Sequence, residues 1–305
     1  MVLLDNITSL NLDSGEIFFE KKYNKSEEEV FLSHAHFDHI PSLNKRTVFS
    51  SEETFKIASL RKNVFHNNFF DFHKKVEFLD AGHTIGSRMF YFKEHKILFT
   101  GDFRTHKSYC GIAKPKKAKT LIIESTFADE KFIFPNYNST LKEIKDYILD
   151  ENNKGFKINF QAYTFGKSQE IMFLLEKYNI PFSLSKEVKK VNEKLNLNFK
   201  NEVSFDSLKE SQVFIGKERI FEKTISASGW ALNPNFKYQF KLDEAFVLSD
   251  HADYPSIIEF IRKVSPENIY TFHGYSNEFA EKLKRAGYNA FSLDNKNKNL
   301  LDYII

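Results

Sequence analysis

The heptapeptide Ser33-His34-Ala35-His36-Phe37-Asp38-His39 places three imidazoles and a carboxylate within six positions, directly after the apolar run Val30-Phe31-Leu32. Imidazole nitrogen and carboxylate oxygen are the usual protein ligands of zinc and related divalent ions, and none of the four side chains serves a packing purpose there. Three more histidines stand in short turns after apolar runs, in Ala81-Gly82-His83, Ser249-Asp250-His251 and Phe272-His273-Gly274. A carboxylate, Asp102, follows the run Lys96–Thr100. Ligands that recur at the ends of apolar runs predict one metal site assembled along one edge of folded sheets. His34 and His36 flank a small residue, and in an extended segment residues two apart point to the same side, so both imidazoles can reach one ion. His66, His73, His95 and His106 lack this context and read as exposed or capping histidines.

The elements that must carry these ligands are short. Val30–Ser33, Thr47–Ser50, Val76–Leu79, Met89–Phe92, Ile97–Thr100 and Leu121–Glu124 are apolar runs rich in Phe, Val and Ile, as strands are, and Glu94-His95 predicts a tight hairpin. Ser50 with Glu53 and Thr140 with Glu143 have capping-box spacing. The first helix presents Phe55 and Ala58, and the second presents Leu141, Ile144, Tyr147 and Ile148. Ile171, Leu174, Leu175 and Tyr178 repeat that helical spacing, and Ser185 caps a helix bearing Val188, Val191 and Leu195. Residues 135–235 alternate helix and strand without any metal-type motif. The pattern then returns to strand (Glu244–Ser249), histidine turn, helix with Pro255 in its first turn, strand (Asn268–Phe272), helix (Ser276 to Ala286) closed by Gly287, and a final strand over Leu300–Ile305.

Composition sets wide limits. A chain of 305 residues can bury one large core or two smaller ones, and 34 phenylalanines make much of that core aromatic. The single cysteine, Cys110, excludes an internal disulfide framework and fits a reducing compartment. No signal peptide or membrane-length apolar run is visible, so a soluble cytoplasmic protein is expected. A net charge of +3 is too small to argue for a nucleic-acid partner by itself. The basic run Lys114–Lys119 reads first as solvated surface, with phosphate binding as the alternative. Gly166-Lys167-Ser168 precedes a helix but lacks the full Walker pattern.

His34-Ala35-His36-Phe37-Asp38-His39, His83 and Asp102 resemble the HxHxDH, His and Asp motifs of the metallo-β-lactamase superfamily. Glu124-Ser125-Thr126-Phe127, Gly166-Lys167-Ser168-Gln169-Glu170, Ser249-Asp250-His251-Ala252-Asp253 and Phe272-His273-Gly274 resemble the later motifs of its β-CASP branch, with Lys167 where arginine is usual. The resemblance runs from about residue 10 to 280. It implies an α/β fold, an αββα sandwich formed by residues 1–134 and 236–305, with a short inserted β-CASP cap over 135–235. It implies a two-zinc centre, manganese being possible, in which His34, His36 and His83 hold one ion, Asp38, His39 and His273 hold the other, and Asp102 bridges them. An early acidic residue would orient a ligand histidine; Asp13 matches by type, and Glu20 by strand context.

Asp38, Glu124 and His251 are the catalytic candidates. The resemblance pairs Glu124 with His251, an arrangement that fixes the imidazole tautomer and raises its pKa for acid catalysis; the alternative is that His251 caps the helix near Pro255. Ser228, Gly229 and Lys167 are the candidate substrate-binding residues, and Trp230 reads equally as a base-stacking or a core residue. β-CASP proteins are nucleases, so the expected activity is metal-dependent phosphodiester hydrolysis. RNA is favoured over DNA because RNA-processing members keep the late histidine found here as His273, although Thr100-Gly101-Asp102-Phe103-Arg104 looks more like DNA-repair relatives. A DNA exonuclease of the ligase-associated type, a small-molecule metallohydrolase and a non-catalytic subunit are the rival readings. Oligomeric state and direction of digestion are not readable.

Overall fold

The computed structural model describes residues 29–41, 43, 46–63 and 68–293 in full, and residues 3–4, 9–12 and 15–19 by their backbone. Asp13, Glu20, His66 and the strand expected over Leu300–Ile305 lie outside the described residues. The chain forms two compact units, Met1–Ile133 with His251–Ile305, and Phe134–Asp250.

The first unit holds two six-stranded sheets. One is built in chain order from Leu3–Leu4, Ser9–Leu12, Gly15–Phe19, Glu29–Phe31, Thr47–Phe49 and Phe69–Phe70. The other has the order Ala290–Ser292, Asn268–Phe272, Thr120–Glu124, Ile97–Phe99, Arg88–Phe92 and Val76–Asp80. Alternation along a strand decides which side chains serve which layer. Ile122 joins Phe31, Phe49, Phe90, Phe92, Phe99 and Phe272 between the sheets. Its neighbours Leu121 and Ile123 face the other way, with Ile257, Phe260 and Ile261 of the helix Tyr254–Val264 and Phe279 and Leu283 of the helix Ser276–Arg285. The inter-sheet layer is aromatic, as the phenylalanine content predicted: Phe31 stacks on Phe49 at 5.0 Å and meets Phe90 edge-on at 5.2 Å. Such offset and edge contacts suit the ring quadrupole.

Topology brings the ligands to one edge. Ile97–Phe99, Thr120–Glu124 and Asn268–Phe272 are parallel neighbours, with Phe99 beside Ile122 and Glu124 beside Phe272. Val76–Asp80 is antiparallel to Arg88–Phe92, which is antiparallel to Ile97–Phe99. All four strands that lead into His83, Asp102, Glu124 and His273 therefore run in the same direction and end together.

The second unit is a five-stranded sheet, wholly parallel, ordered Phe182–Leu184, Val213–Gly216, Ile158–Gln161, Lys223–Ala227 and Glu244–Phe246. Three of its strands, Phe182–Leu184, Val213–Gly216 and Ile158–Gln161, are buried almost throughout, as strands of a parallel sheet covered on both faces are. Ile144 and Ile148 of the helix Tyr137–Asn153, and Ile171, Leu174 and Leu175 of the helix Lys167–Lys177, pack on them.

Two caps differ from the sequence expectation. Ser51, not Ser50, is extended at the start of Glu52–Lys62 and accepts the Thr54 N–H at 3.1 Å, whereas the Ser50 hydroxyl donates to the Ser51 carbonyl. Asn136, not Thr140, caps Tyr137–Asn153 and accepts the Asn138 and Ser139 N–H groups. Thr140 stands inside the first turn of that helix. The short asparagine amide reaches both orphan donors, a contact worth about 1 kcal/mol. Ser185 and Pro255 take the positions expected of them. Glu244–Phe246 ends earlier than predicted, in a turn where the Leu248 N–H returns to the Phe246 carbonyl. Among the described residues, no helix is long and apolar enough to cross a membrane.

Candidate metal centre

His34 emerges beyond the strand Glu29–Phe31, wholly buried. Gly101, in the left-handed region at φ +53°, makes room for it: a Cβ there would lie 2.5 Å from the Ser33 Cβ. Ser33 thereby keeps its hydroxyl 2.9 Å from His34 Nδ1. Nε2 of His34 points to Asp102, whose Oδ2 is 3.4 Å away, and has no hydrogen-bond partner. The same Oδ2 lies 3.5 Å from His39 Nε2 and 3.7 Å from His83 Nε2. His36 Nδ1 is 3.1 Å from His83 Nε2. Ligand atoms of His34, His36, His83 and Asp102 all fall within 4.8 Å of one another. His273 completes the group, its ring 5.0 Å from that of His39. Asp38 stands at the exposed rim, with Oδ2 3.6 Å from His39 Nε2.

These residues fit a divalent metal. Burial, and then the like charges of His39, His83, His36 and His251, hold the His34 pKa well below its ordinary value. Neutral imidazole is the ligating form. A buried ring nitrogen without a hydrogen-bond partner costs free energy unless an ion takes its lone pair, and the donor set of imidazoles and a carboxylate suits zinc. His34, His36, His83 and Asp102 are thus a group that could hold a metal ion.

Beside it, His251 Nδ1 lies 2.9 and 3.0 Å from the two oxygens of Glu124, from which it is separated by 127 positions in the chain. Glu124 is buried and also takes the Phe103 N–H at 3.0 Å and the Thr126 hydroxyl. Burial pushes this carboxyl up. The charge and hydrogen bond of His251, with the bonds from Thr126 and Phe103, outweigh it, so Glu124 sits below its ordinary pKa. An ionised carboxylate only accepts, so Nδ1 of His251 carries a proton. The alternative of a helix cap is removed: Asp253 accepts the Ser256 N–H at 3.1 Å and fills that position. The His251 ring stands 4.6 Å from that of His83.

Several supporting contacts were not foreseen from the sequence. Ser125 grips the His273 turn from both sides: its N–H donates to the Phe272 carbonyl at 2.8 Å, and its own carbonyl accepts the Tyr275 N–H at 2.9 Å. Arg104, fully buried, donates from Nε to the Gly82 carbonyl and so steadies the His83 turn. Ser87 Oγ accepts the His83 and Thr84 N–H groups. Arg61 Nη1 donates to the Ala35 carbonyl at 2.6 Å, between the first two ligands. Of the residues read as bystanders, His73 packs edge-on against Phe31 and Phe49. In the basic run, Lys116 pairs with Glu77 and Lys119 with Glu267.

His273 and Gly274 both lie in the left-handed region, at φ 60° and 54°. A Cβ on Gly274 would lie 2.4 Å from the Thr126 Cα and 2.5 Å from the Ser125 carbonyl oxygen. Gly274→Ala is therefore expected to destabilise the metal-free protein by roughly 2–5 kcal/mol, from backbone strain plus overpacking against an unyielding main chain. Thermal unfolding in excess chelator measures it, and an unaltered melting temperature would mean that the turn yields at no cost.

In the second unit, Gly166 and Lys167 follow the strand Ile158–Gln161, and Ser228 and Gly229 follow its neighbour Lys223–Ala227. Gln169 Oε1 accepts the Gly166 N–H at 2.8 Å. Lys167 is buried, its ammonium 2.8 Å from Glu170 and 3.8 Å from Asp250, and Tyr137 donates to the other Glu170 oxygen. Ser228 accepts the Trp230 N–H at the start of a short 3₁₀ turn, Gly229 is buried, and Trp230 is half-buried.

A two-sheet α/β sandwich that collects imidazoles and a carboxylate at the carboxyl edge of its strands is of the metallo-β-lactamase type, and this chain is of that class. A solved structure, of a protein of unknown function from Enterococcus faecalis V583, shares the fold with TM-score 0.63 and 15% identity over 95% of both chains. Residues 243–293 match the family described as the Zn-dependent metallo-hydrolase RNA specificity domain. A probable DNA ligase from Opitutus terrae is 29% identical over 89% of this chain and 29% of its own length. An RNase J-like protein from Methanocaldococcus jannaschii is 25% identical over 58% of this chain and 49% of its own. The transcription termination factor FttA of Methanothermobacter thermautotrophicus is 27% identical over 41% and 22%. The chain thus spans less than half the length of each of these relatives. Together these matches make the chain similar to the β-CASP nucleases of the metallo-β-lactamase superfamily.

Proposed function

We propose that the chain hydrolyses phosphodiester bonds of nucleic acid, RNA being the preferred substrate, and that the inserted β-CASP cap expected over residues 135–235 is the unit Phe134–Asp250. The observation that carries this reading is the Glu124–His251 pair standing beside the histidine–aspartate cluster, which supplies an acid next to a metal site. His34, His36 and His83 would hold one zinc ion, Asp38, His39 and His273 a second, and Asp102 would serve both. When bound, the ions supply an ionised water at neutral pH and compensate charge on the phosphoryl oxygens. Glu124 fixes the His251 tautomer, so any proton His251 passes to the leaving oxygen travels on Nε2. Ser228, Gly229 and Lys167 follow two adjacent parallel strands at the point where the strand order reverses, the place where open α/β sheets take ligands. In this reading they contact the substrate backbone.

A second reading is a DNA exonuclease. It draws on the Opitutus terrae relative, which matches 89% of the chain and is named as a DNA ligase. Single-stranded RNA and DNA of one sequence, labelled at either end, separate the two. The expected result is chelator-sensitive degradation that is faster on RNA. Faster degradation of DNA transfers the assignment to the second reading, and turnover of a thioester with no cleavage of either polymer would refute both.

A further inference from the structure

Phe37 lies between His36 and Asp38 in the metal-site loop, yet its side chain is 62% exposed. A lone exposed phenylalanine is ordinary on a protein surface. This one is constrained in two ways that most are not. Its chain neighbours on both sides, His36 and Asp38, are candidate ligands, so its backbone is fixed wherever theirs is. Its ring is also capped by the ammonium of Lys62, 4.2 Å from the centroid. Lys62 and Arg61 end the helix Glu52–Lys62, and Arg61 is bonded to the Ala35 carbonyl of the same loop. The result is an exposed aromatic face, backed by one cation and set on the loop that carries the candidate ligands, itself held by another cation.

Aromatic faces paired with basic groups are how proteins hold single-stranded nucleic acid without reading its sequence, because every base has a π-face to stack. We propose that Phe37 is a substrate-positioning residue on which the nucleobase next to the scissile phosphate stacks, with Lys62 holding the ring and adding positive charge. A base within a duplex is already stacked on both faces, so this contact favours single strands and frayed ends. The inference rests on the nuclease reading above.

The test combines Phe37→Ala, Phe37→Leu and Phe37→Trp with single-stranded oligonucleotides carrying one abasic nucleotide, walked past the cleavage position. Phe37→Ala and Phe37→Leu are expected to raise KM roughly 5- to 100-fold with a smaller change in kcat. Phe37→Trp should restore binding, and all three should keep the wild-type metal content. In the wild type one abasic position should cost as much as the alanine variant, and Phe37→Ala should be indifferent to that position. Phe37→Leu behaving as wild type, or an abasic penalty undiminished in Phe37→Ala, would overturn the proposal while leaving the nuclease reading intact. If the wild type binds oligonucleotides without cutting them, that reading fails, and fluorescence anisotropy with the same variants and probes still decides the role of Phe37. Absence of both binding and cleavage refutes the two together.

Discussion

Replacing Asp102 by alanine is expected to strip the protein of its metal and lower cleavage on the order of a thousandfold or more. One carboxylate oxygen of Asp102 lies within 3.7 Å of the Nε2 atoms of His34, His39 and His83. It is the negative charge that these imidazoles share, since Asp38 stands at the exposed rim. Changing a residue that merely orients a ligand typically costs 10- to 100-fold in metal affinity or activity. Removing the buried anionic ligand itself leaves mostly neutral donors to hold divalent ions, and the loss exceeds that range. The ions contribute several kcal/mol of charge stabilisation to hydrolysis, which is a thousandfold when converted at about 1.4 kcal/mol per tenfold. Elemental analysis of the purified variant checks the first statement, and rates on labelled oligonucleotide check the second. Thermal unfolding in chelator, with wild type alongside, separates loss of metal from loss of fold. Stoichiometric metal with wild-type activity would dismiss Asp102 as a ligand.

His251→Ala is expected to leave the metal content unchanged and lower kcat by about 10²- to 10⁴-fold, the usual contribution of a positioned acid. The geometry behind this is the pair of contacts at 2.9 and 3.0 Å that directs Nδ1 at the ionised Glu124. Glu124→Gln keeps an acceptor but removes the charge opposite the imidazole, so a smaller loss is expected, between about 10- and 100-fold. The leaving group distinguishes acid catalysis from a structural role. From a p-nitrophenyl phosphodiester the leaving group, p-nitrophenolate, departs without protonation, and on this substrate both variants should approach wild-type rates. Equal losses on the activated and natural substrates would show that His251 does something other than donate a proton.

The candidate metal-binding residues could be picked out in the linear chain because their signal is local. His34, His36, Asp38 and His39 announce their chemistry by type and spacing, and His83, Asp102 and His273 by standing at the ends of apolar runs. The pairing of His251 with Glu124 was anticipated through family resemblance, whereas their actual contact spans 127 positions. The two misassigned caps, Ser50 for Ser51 and Thr140 for Asn136, show the limit of local pattern. Both choices offer a hydroxyl and a glutamate at suitable spacing, and only backbone direction decides which side chain meets the orphan N–H groups.

What the amino-acid order determined by itself was therefore the kind of chemistry: imidazoles and carboxylates placed where strands end, in a chain able to bury them. What the tertiary structure decided was which atoms meet. Parallel pairing of Ile97–Phe99, Thr120–Glu124 and Asn268–Phe272 brings their exits to one edge. Ser125 then grips the His273 turn, Arg104 the Gly82 carbonyl and Arg61 the Ala35 carbonyl. None of these three contacts is marked in the sequence, even where the residue stands in a quoted motif, because a hydrogen bond to main-chain carbonyl depends on where the backbone passes and not on which residue it belongs to.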